Sequence, residues 1–502
     1  MTLINYSKLQ NGSDIRGIAM ENKDGDPVNL TEEAVAHLSA AFVKWLSEKK
    51  PGKALRISVG RDSRITGPAL MKAVFKGLNS AGAKSHDLGL ASTPAMFMST
   101  VLGDTPFDGS IMITASHLPS HRNGLKFFSP EGGLEKDDIK KLTEYAPDIE
   151  IKDDDGDAEK VSFMDTYTTY LRDKICKGVN AQDYEHPLRG RHIIVDAGNG
   201  AGGFFAEKVL KELGADISGS QFLEPDGSFP NHIPNPENKE AAESVRKATL
   251  DAKADLGIIF DTDVDRAGAV LPDGRELVRN DLIAVLSAIV IKEHPGTTIV
   301  TDSVTSSGLA EYIVKRGGVH RRFKRGYKNV INESIRLNNE GTDSSLAIET
   351  SGHGALRENY FLDDGAYLMV KLLIELGKGN DIREMISDLK EPAESAEIRF
   401  PVTAEDVAES GDRVLSLLTD SVDKEEGWSL EKENYEGVRI NTDEAHGNGW
   451  LLLRKSLHEP IMPLNIESDT KGGCEVMAKA LLKILSKAEG LDLEPLEEYI
   501  RQ

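Results

Sequence analysis

Cysteine is scarce, positive charge is the minority charge, and long apolar runs are missing from this sequence of 502 residues. Cys176 and Cys474 are its only cysteines, too few for a disulfide framework or a cysteine metal site, and their scarcity suits a reducing compartment. No stretch approaches the ~20 apolar residues of a membrane-spanning helix, and Met1 to Arg16 lacks a basic start followed by an apolar run. These absences favour a cytoplasmic protein that neither spans nor enters a membrane.

The charge balance is acidic, with 60 Lys and Arg against 83 Asp and Glu, a net charge of −23. A field of that sign repels nucleic acid and anionic lipid, so neither is an expected partner. A small anionic substrate stays compatible, because a local cluster of Arg, Lys and a metal ion reverses the sign inside a cleft.

The length predicts three or four domains at about 150 residues each. Short Ile- and Val-rich runs end in Gly/Asp/Ser turns and lead into helical patterns at residues 56–64, 193–200 and 299–303, which predicts three related α/β layers. Shorter strands and a closing helix, 473–487, follow Pro392 and predict an α+β unit. Linkers are predicted at 148–159, which is rich in acidic residues, and at 389–397.

The clearest chemical pattern is the apolar run Ile258 to Phe260, followed by Asp261, Asp263 and Asp265. In an extended backbone alternate side chains share a face, so the three carboxylates are predicted to converge. They require compensating charge, and a hard divalent cation such as Mg²⁺, which prefers oxygen ligands, supplies it. The alternative is a solvated acidic turn, but an apolar strand rarely ends in three acids by chance, so the pattern favours a metal site.

A second pattern places a serine just beyond the apolar run Ile111 to Ile113. Ser116 is followed at once by His117 and ten residues later by Lys126, which sets a nucleophile near candidate proton carriers and cations. Adjacent Ser and His side chains do not usually face each other, so the pair is weak evidence for a hydrolase dyad. An ordinary loop is the alternative interpretation of these residues taken alone.

Taken together, these segments resemble the α-D-phosphohexomutase family. The four main segments are 114–119 with 123–126, similar to its phosphoserine loop; 261–266, similar to its magnesium loop; 349–353, similar to its sugar-recognition loop; and 454–460, similar to its C-terminal phosphate-binding loop. Shorter supporting matches are 14–17, 60–64 and 226–232. Their shared order and spacing extend over nearly the whole chain.

The resemblance implies an α/β protein with three related α/β domains containing mixed sheets and a C-terminal α+β domain, arranged around a central cleft. The domains would be residues 1–160, 161–274, 275–392 and 393–502. It also implies that Ser116, carried as phosphoserine, donates its phosphoryl group to a hexose monophosphate. Mg²⁺, bound by Ser116, Asp261, Asp263 and Asp265, would offset charge on the transferring group. The hexose 1,6-bisphosphate, of glucose or mannose, then turns over and returns its other phosphate to Ser116.

Further roles follow from the same resemblance. Arg16 and Arg266 would stabilise phosphoryl oxygens through planar multi-donor contacts, and His117 and Lys126 would transfer protons or hold the phosphate of phosphoserine. The residues expected to bind substrate are Glu349, Ser351 and His353 in the sugar-recognition loop, Arg325 and Tyr327 in the segment 324–329, and Arg454, Ser456 and His458 around the phosphate that does not react. Glu349 and Ser351 would contact the O3 and O4 hydroxyls, which do not distinguish the two ends of the sugar.

Several positions depart from the family pattern. The departures are Leu118 where asparagine is usual, Thr262 where glycine is usual, Val304 near the place of a lysine, Tyr327 in place of a histidine often credited with proton transfer, and Asn465 in place of a second arginine. The candidates for the missing positive charge are His458, Arg325 and Lys328.

A glycine-rich turn favours a competing function. Residues 198–203 fit G-x-G-x-x-G after the strand 193–195, and Asp216 follows near the ~20-residue spacing of a dinucleotide site, a pattern typical of NAD-dependent oxidoreductases. The family resemblance instead makes this turn a structural strand-to-helix connection. Two further alternatives, a haloacid-dehalogenase-type phosphatase and a non-catalytic sugar-phosphate sensor, have no need of the loop around Ser116.

The expected activity is therefore that of an isomerase of the phosphomannomutase/phosphoglucomutase type, with phosphoglucosamine mutase as the alternative. Its expected partner is a small sugar phosphate, and its expected assembly is a monomer or a small homo-oligomer.

Overall fold

The computed structural model describes residues 4–23, 25–152, 156–456 and 459–501. The chain divides into two compact units. The first unit comprises Met1–Val278 and Ser351–Glu384, and the second comprises Arg279–Thr350 and Met385–Gln502. The backbone therefore passes from one unit to the other three times.

The N-terminal part of the first unit is a mixed sheet with helices. Its elements are β1 (Gln10–Asn11), β2 (Asp14–Ile18), α1 (Glu32–Lys49), β3 (Arg56–Arg61), α2 (Gly67–Ser80), β4 (Lys84–Leu90), α3 (Thr93–Met98), β5 (Gly109–Ile113), β6 (Arg122–Ser129), β7 (Gly132–Gly133), α4 (Lys136–Tyr145) and β8 (Glu159–Lys160). The sheet order is β1-β2-β6-β5-β3-β4-β8, with β7 beside β6. Phe42, Ile57 and Phe127 belong to its buried core.

The first unit continues with a second, smaller sheet. Its elements are α5 (Phe163–Val179), β9 (Ile193–Asp196), a π-helix (Phe205–Leu210), α6 (Lys239–Ala252), β10 (Leu256–Phe260), β11 (Ala267–Val270) and β12 (Glu276–Leu277). β9 and β10 are parallel, and β11 and β12 continue the sheet antiparallel. Every residue of β10 is buried, as expected for an apolar strand covered on both faces.

Residues 279–384 contribute to both units. The elements in the second unit are α7 (Arg279–Glu293), β13 (Thr298–Thr301), α8 (Ser307–Lys315), β14 (Val319–Arg322), α9 (Tyr327–Asn339) and β15 (Ser344–Ile348). The next elements along the chain belong to the first unit and are β16 (Gly354–Leu356), β17 (Leu362–Asp363) and α10 (Gly365–Gly377). The short helix α11 (Ile382–Met385) contains the point at which the chain returns to the second unit. β13 lies between β14 and β15, parallel to both.

The C-terminal domain, in the second unit, is an antiparallel sheet with helices. Its elements are β18 (Glu394–Pro401), α12 (Val407–Val422), β19 (Trp428–Leu430), β20 (Val438–Thr442), β21 (Gly449–Leu453), β22 (Ile461–Ser468), α13 (Gly473–Leu485) and α14 (Glu494–Arg501). The strand order is β18-β22-β21-β20-β19. Phe400, Leu464 and Leu481 belong to its buried core.

The predicted fold class is confirmed: three α/β openings begin at β3, β9 and β13, and a different α+β domain follows. The linker predicted at 389–397 is partly wrong, because Glu394–Pro401 forms β18 opposite β22. Only Ile398 and Phe400 of this strand are buried, and its other residues are exposed or half-buried, which explains why composition alone suggested a linker. No helix among the described residues is long and apolar enough to cross a membrane.

Candidate active site

Ser116 lies in the loop that joins β5 to β6, and it is almost completely buried. Its backbone is left-handed, with a φ of 50°, a conformation that costs a residue with a Cβ atom about 1–2 kcal/mol. Its amide donates to Thr114 Oγ1 at 3.0 Å, and its hydroxyl donates to Asp261 Oδ2 at 3.0 Å. The loop therefore directs the serine oxygen at the carboxylates that the sequence singled out.

Asp261, Asp263 and Asp265 follow β10 in a turn, and all three are buried. Val264 has a φ of 67°, so the extended backbone on which the prediction relied is wrong. Convergence itself is confirmed, because one oxygen of each carboxylate lies within 4.8 Å of the others. A turn brings the three acids together where a strand was expected to do so.

The acidic turn fits a metal ion. Asp263 Oδ1 and Asp265 Oδ1 are buried and have no hydrogen-bond partner among the described residues, a costly arrangement for carboxylates. Burial, reinforced by the two neighbouring acids, raises the pKa of Asp261 well above its usual value, which indicates too little positive charge nearby. A hard cation with oxygen ligands corrects both defects.

Lys126 on β6 supplies part of the compensation. Its Nζ lies 3.3 Å from Asp263 Oδ2 and contacts Asp265 Oδ2 more closely. Burial favours the neutral acid, but Lys126, helped by Arg266, outweighs it and holds the pKa of Asp265 below its usual value. Lys126 is thus a buried cation paired with two of the three predicted metal ligands.

Arg16 on β2 contacts the loop 114–121 between β5 and β6, which we call the serine loop. Its Nη1 donates to the carbonyl oxygen of Ala115 at 2.8 Å, and its Nη2 pairs with Asp14 Oδ2 at 2.9 Å. The guanidinium is therefore held next to the residue that precedes the nucleophile.

His117 also lies next to the nucleophile, with its Nδ1 3.4 Å from Ser116 Oγ. Burial, helped by Arg266 and Arg16, lowers the pKa of His117 to about 2. The imidazole is therefore neutral at pH 7 and adds no positive charge for binding phosphate.

Arg266 is oriented by a histidine and an aspartate from the segment 351–384. Its Nε donates to His353 Nε2 at 2.8 Å, and His353 Nδ1 lies 2.6 Å from Asp363 Oδ2. Because Nε2 accepts, Nδ1 carries the proton and donates to Asp363. His353, which was predicted to bind substrate, thus contacts the arginine beside the acidic turn. Asp363 was not predicted as a site residue.

Two segments that the sequence did not assign to the site support the acidic turn. Thr93, the first residue of α3, donates its hydroxyl to Asp263 Oδ2 and its amide to the Asp263 carbonyl oxygen at 2.8 Å. The amide of Ala201 donates to the Thr262 carbonyl oxygen at 2.8 Å. A Cβ atom on Gly200 would lie 2.7 Å from that same oxygen. The glycine-rich turn that resembled a dinucleotide motif is thus packed against the acidic turn.

The second unit contains its own buried charged cluster. Glu349 follows β15, and its Oε1 accepts the amide of Gly326 at 2.5 Å. Glu436 Oε2 accepts the amide of Arg325 at 3.1 Å and the hydroxyl of Ser303. Glu436 lies between β19 and β20 and matches no motif, so it could not be predicted as a site residue.

Arg454 follows β21 and belongs to the same cluster. Burial lowers its pKa, Glu436 opposes that effect and Arg325 adds to it. The buried Nε of Arg454 has no hydrogen-bond partner among the described residues. An unpaired arginine N–H beside Arg325 is a suitable donor for an anion.

The other expected substrate residues belong to several separate elements. Asp302 accepts hydrogen bonds from the amide and the hydroxyl of Thr350 at 3.3 and 2.7 Å, which fix the start of the segment 349–353 in the second unit. Ser351 is the first residue of the segment assigned to the first unit. Tyr327 begins α9, Ser456 Oγ accepts the amide of Glu459 at 3.3 Å, and His458 lies outside the described residues.

The chain matches models of one family in three consecutive segments. They are the phosphoglucomutase/phosphomannomutase alpha/beta/alpha domain I at residues 7–151, domain II at 165–274 and domain III at 279–392. Together these segments span well over half of the chain.

Relatives and solved structures extend this similarity to almost the full length. A phosphomannomutase/phosphoglucomutase of Pseudomonas syringae pv. tomato is 28% identical and covers 96% of each chain. A phosphoglucomutase of Neisseria gonorrhoeae is 29% identical over 92% of this chain and 93% of that protein. The crystal structure of a phosphoglucomutase/phosphomannomutase family protein from Burkholderia thailandensis has a TM-score of 0.80 and 25% identity, and covers 96% of this chain and 98% of that one.

Proposed function

Because the chain belongs to the phosphoglucomutase/phosphomannomutase family and is thus a phosphohexomutase, an isomerase, we propose that it interconverts hexose 1-phosphate and hexose 6-phosphate through a phosphoserine at Ser116. Glucose and mannose phosphates are the proposed substrates. Mg²⁺ and a hexose 1,6-bisphosphate are the proposed cofactor and intermediate. The observation that carries the proposal is the 3.0 Å contact between Ser116 Oγ and Asp261 Oδ2.

That contact sets a nucleophilic oxygen against a buried acidic turn, an arrangement suited to phosphoryl transfer. A bound Mg²⁺ would neutralise charge on the transferring phosphoryl group. Asp261, Asp263 and Asp265 would hold it, together with an oxygen on Ser116. Lys126 would stay a cation, because it pairs with two carboxylates. Arg16 and Arg266 would donate hydrogen bonds to phosphoryl oxygens.

His117 is the proposed proton carrier. Transfer from phosphoserine to a sugar hydroxyl breaks the bond between Ser116 Oγ and phosphorus, forms a new oxygen–phosphorus bond and releases the hydroxyl proton. The departing Ser116 Oγ takes up that proton, and a neutral imidazole next to Ser116 can relay it from the sugar hydroxyl and carry it back in the reverse step.

The charged cluster of the second unit is proposed to bind the parts of the substrate that do not react. Arg454 and Arg325 would donate to the phosphate that is not transferred, because each is a buried or partly buried guanidinium in one cluster. Ser456, His458 and Tyr327 complete the proposed phosphate contacts. The proposed sugar contacts are Glu349 and Ser351 at O3 and O4, with His353 holding Arg266.

Intact mass spectrometry and turnover test the nucleophile. We expect the purified protein, treated with glucose 1,6-bisphosphate, to gain the mass of one phosphoryl group, and Ser116→Ala to lose both the added mass and mutase turnover. Ser120→Ala, in the same loop, is the matched control and should keep both. A Ser116→Ala protein with the turnover of the unaltered chain would disprove the phosphoserine route.

Relative kcat/KM values test the substrate class. Glucose 1-phosphate, mannose 1-phosphate and glucosamine 1-phosphate are compared with Mg²⁺ and the matching bisphosphate present. We expect the first two to be turned over faster than the third. A clear preference for glucosamine 1-phosphate would replace the proposal with the phosphoglucosamine mutase alternative.

A further inference from the structure

Arg64 is a completely buried arginine that contacts the serine loop but none of the groups proposed to react. Its side chain pairs with Asp62 Oδ2 at 3.2 Å. Its two terminal nitrogens donate to four carbonyl oxygens, those of Ser116, Leu118 and Pro119 in the loop between β5 and β6 and that of Arg122 at the start of β6. One side chain thus binds most of the loop that carries the nucleophile.

These contacts restrain the backbone on both sides of Ser116. The carbonyl oxygen of Ser116 accepts from Arg64, and its amide donates to Thr114 Oγ1. The Thr114 hydroxyl in turn donates to Asp62 Oδ2 at 2.8 Å. A left-handed φ at a residue with a Cβ atom persists only when its surroundings impose it, and the Asp62–Arg64 pair is what imposes it here.

A loop from the second sheet of the first unit covers this pair. The ring of Phe229 lies 5.3 Å from the guanidinium carbon of Arg64. A Cβ atom on Gly227 would be 2.5 Å from both the Ser63 carbonyl oxygen and the Ile65 amide nitrogen, so only glycine allows this approach. Excluding water strengthens charge-assisted hydrogen bonds to the loop carbonyls.

We propose that Arg64 is a positioning residue, which holds Ser116 in its left-handed conformation so that Oγ points at the acidic turn. This inference rests on the proposed function. Arg64 acts through the loop backbone and does not touch the substrate. The planar fork of its guanidinium is what the role requires, because a lysine ammonium cannot reach four carbonyls in fixed directions.

Arg64→Lys tests the proposal, with Arg61→Lys as the matched control. Arg61 lies three residues away, and its Nη1 donates to the carbonyl oxygen of Asp62 at 3.0 Å but to no loop carbonyl among the contacts described. For Arg64→Lys we expect kcat to fall about 10- to 100-fold, with KM changed less than about twofold, and phosphorylation of Ser116 by the bisphosphate to slow in parallel. Arg61→Lys should leave all three quantities unchanged. A folded Arg64→Lys protein with an unaltered kcat would overturn the proposal.

Hydrogen exchange, read by mass spectrometry, tests the anchoring without relying on turnover. Amides of residues 115–122 should exchange faster in Arg64→Lys than in Arg61→Lys, with little change in β3 and β5. Unchanged exchange would overturn the proposal even if kcat fell. If the unaltered protein has no mutase activity but the Arg64→Lys variant still exchanges faster, the proposed function is refuted and the anchoring of the loop by Arg64 is not.

Thr114→Val covers the case in which Arg64→Lys fails to fold. It keeps the shape of residue 114 and removes the hydroxyl that joins Asp62 to the Ser116 amide. We expect lower kcat at constant KM and faster exchange of the Ser116 amide. If neither changes in a folded Thr114→Val protein, the backbone of Ser116 does not depend on this network and the proposal is wrong.

Discussion

Replacing Asp364 by asparagine is expected to change how the stability of the protein depends on pH. Asp364 precedes α10 and accepts the amide of Tyr367 at 2.9 Å. It also accepts the Tyr167 hydroxyl at 2.8 and 2.9 Å and Asn359 Nδ2 at 3.1 Å. Burial outweighs these hydrogen bonds and raises its pKa to about 6.

The sign and size of the effect follow from that pKa. An acid whose pKa is raised on folding contributes stability that is fully present below its unfolded pKa and is lost as the pH rises through the folded value. A rise from 3.8 to about 6 corresponds to about 3 kcal/mol. The free energy of unfolding of the unaltered protein, relative to Asp364→Asn, should therefore fall by about 2 kcal/mol between pH 4 and pH 7, because part of the loss has already occurred at pH 4.

Urea unfolding at several pH values between 4 and 7.5, followed by circular dichroism, measures this difference. Other titrating groups are common to both proteins and cancel in the comparison. Asp165→Asn, at a largely exposed site of α5, is the control for the same change of side chain outside the core. A difference for Asp364→Asn that is constant over the range would refute the assigned pKa.

Three further predictions concern the acidic turn and the C-terminal core. Gly200→Ala should weaken Mg²⁺ binding, measured by isothermal titration calorimetry, because its Cβ atom would collide with the Thr262 backbone. Gly202→Ala is the control and should not weaken binding, because its Cβ atom would contact only side chains. Equal Mg²⁺ affinities of the two variants would show that the glycine-rich turn does not support the acidic turn. Thr93→Val should also lower Mg²⁺ affinity through loss of the hydroxyl that donates to Asp263, and an unchanged titration would exclude that role. Leu464→Ala should reduce the free energy of unfolding by about 2–5 kcal/mol, while exposed Leu430→Ala should cost far less; similar losses would contradict the core assignment.

The fold was largely readable from the sequence because its buried strands are short and apolar. The strands β3, β9 and β13 each end in a small or polar turn before a helix, and that local pattern is visible without a structure. β18 was predicted only in part because just two of its residues, Ile398 and Phe400, are buried, whereas its first four residues, which include Glu394 and Glu397, are exposed or half-buried.

The site was only partly readable, because its contacts join distant parts of the chain. Asp261, Asp263 and Asp265 were found together because they are neighbours in sequence. Thr93 lies 170 residues from Asp263 and carries no motif, so its contact was not predicted. The left-handed residue in the acidic turn, which converts an expected strand into a turn, likewise has no signature, because valine rarely adopts that conformation.

The division of the chain between its two units has a consequence for biosynthesis and for truncation. His353 and Asp363, which orient Arg266, belong to a segment that the ribosome makes only after residues 279–350. During translation Arg266 therefore lacks its contact with His353 while residues 279–350 of the second unit are being synthesised. For the same reason a chain cut after Val278 would keep Ser116 and all three aspartates of the acidic turn but would lose the histidine that aligns the arginine beside them.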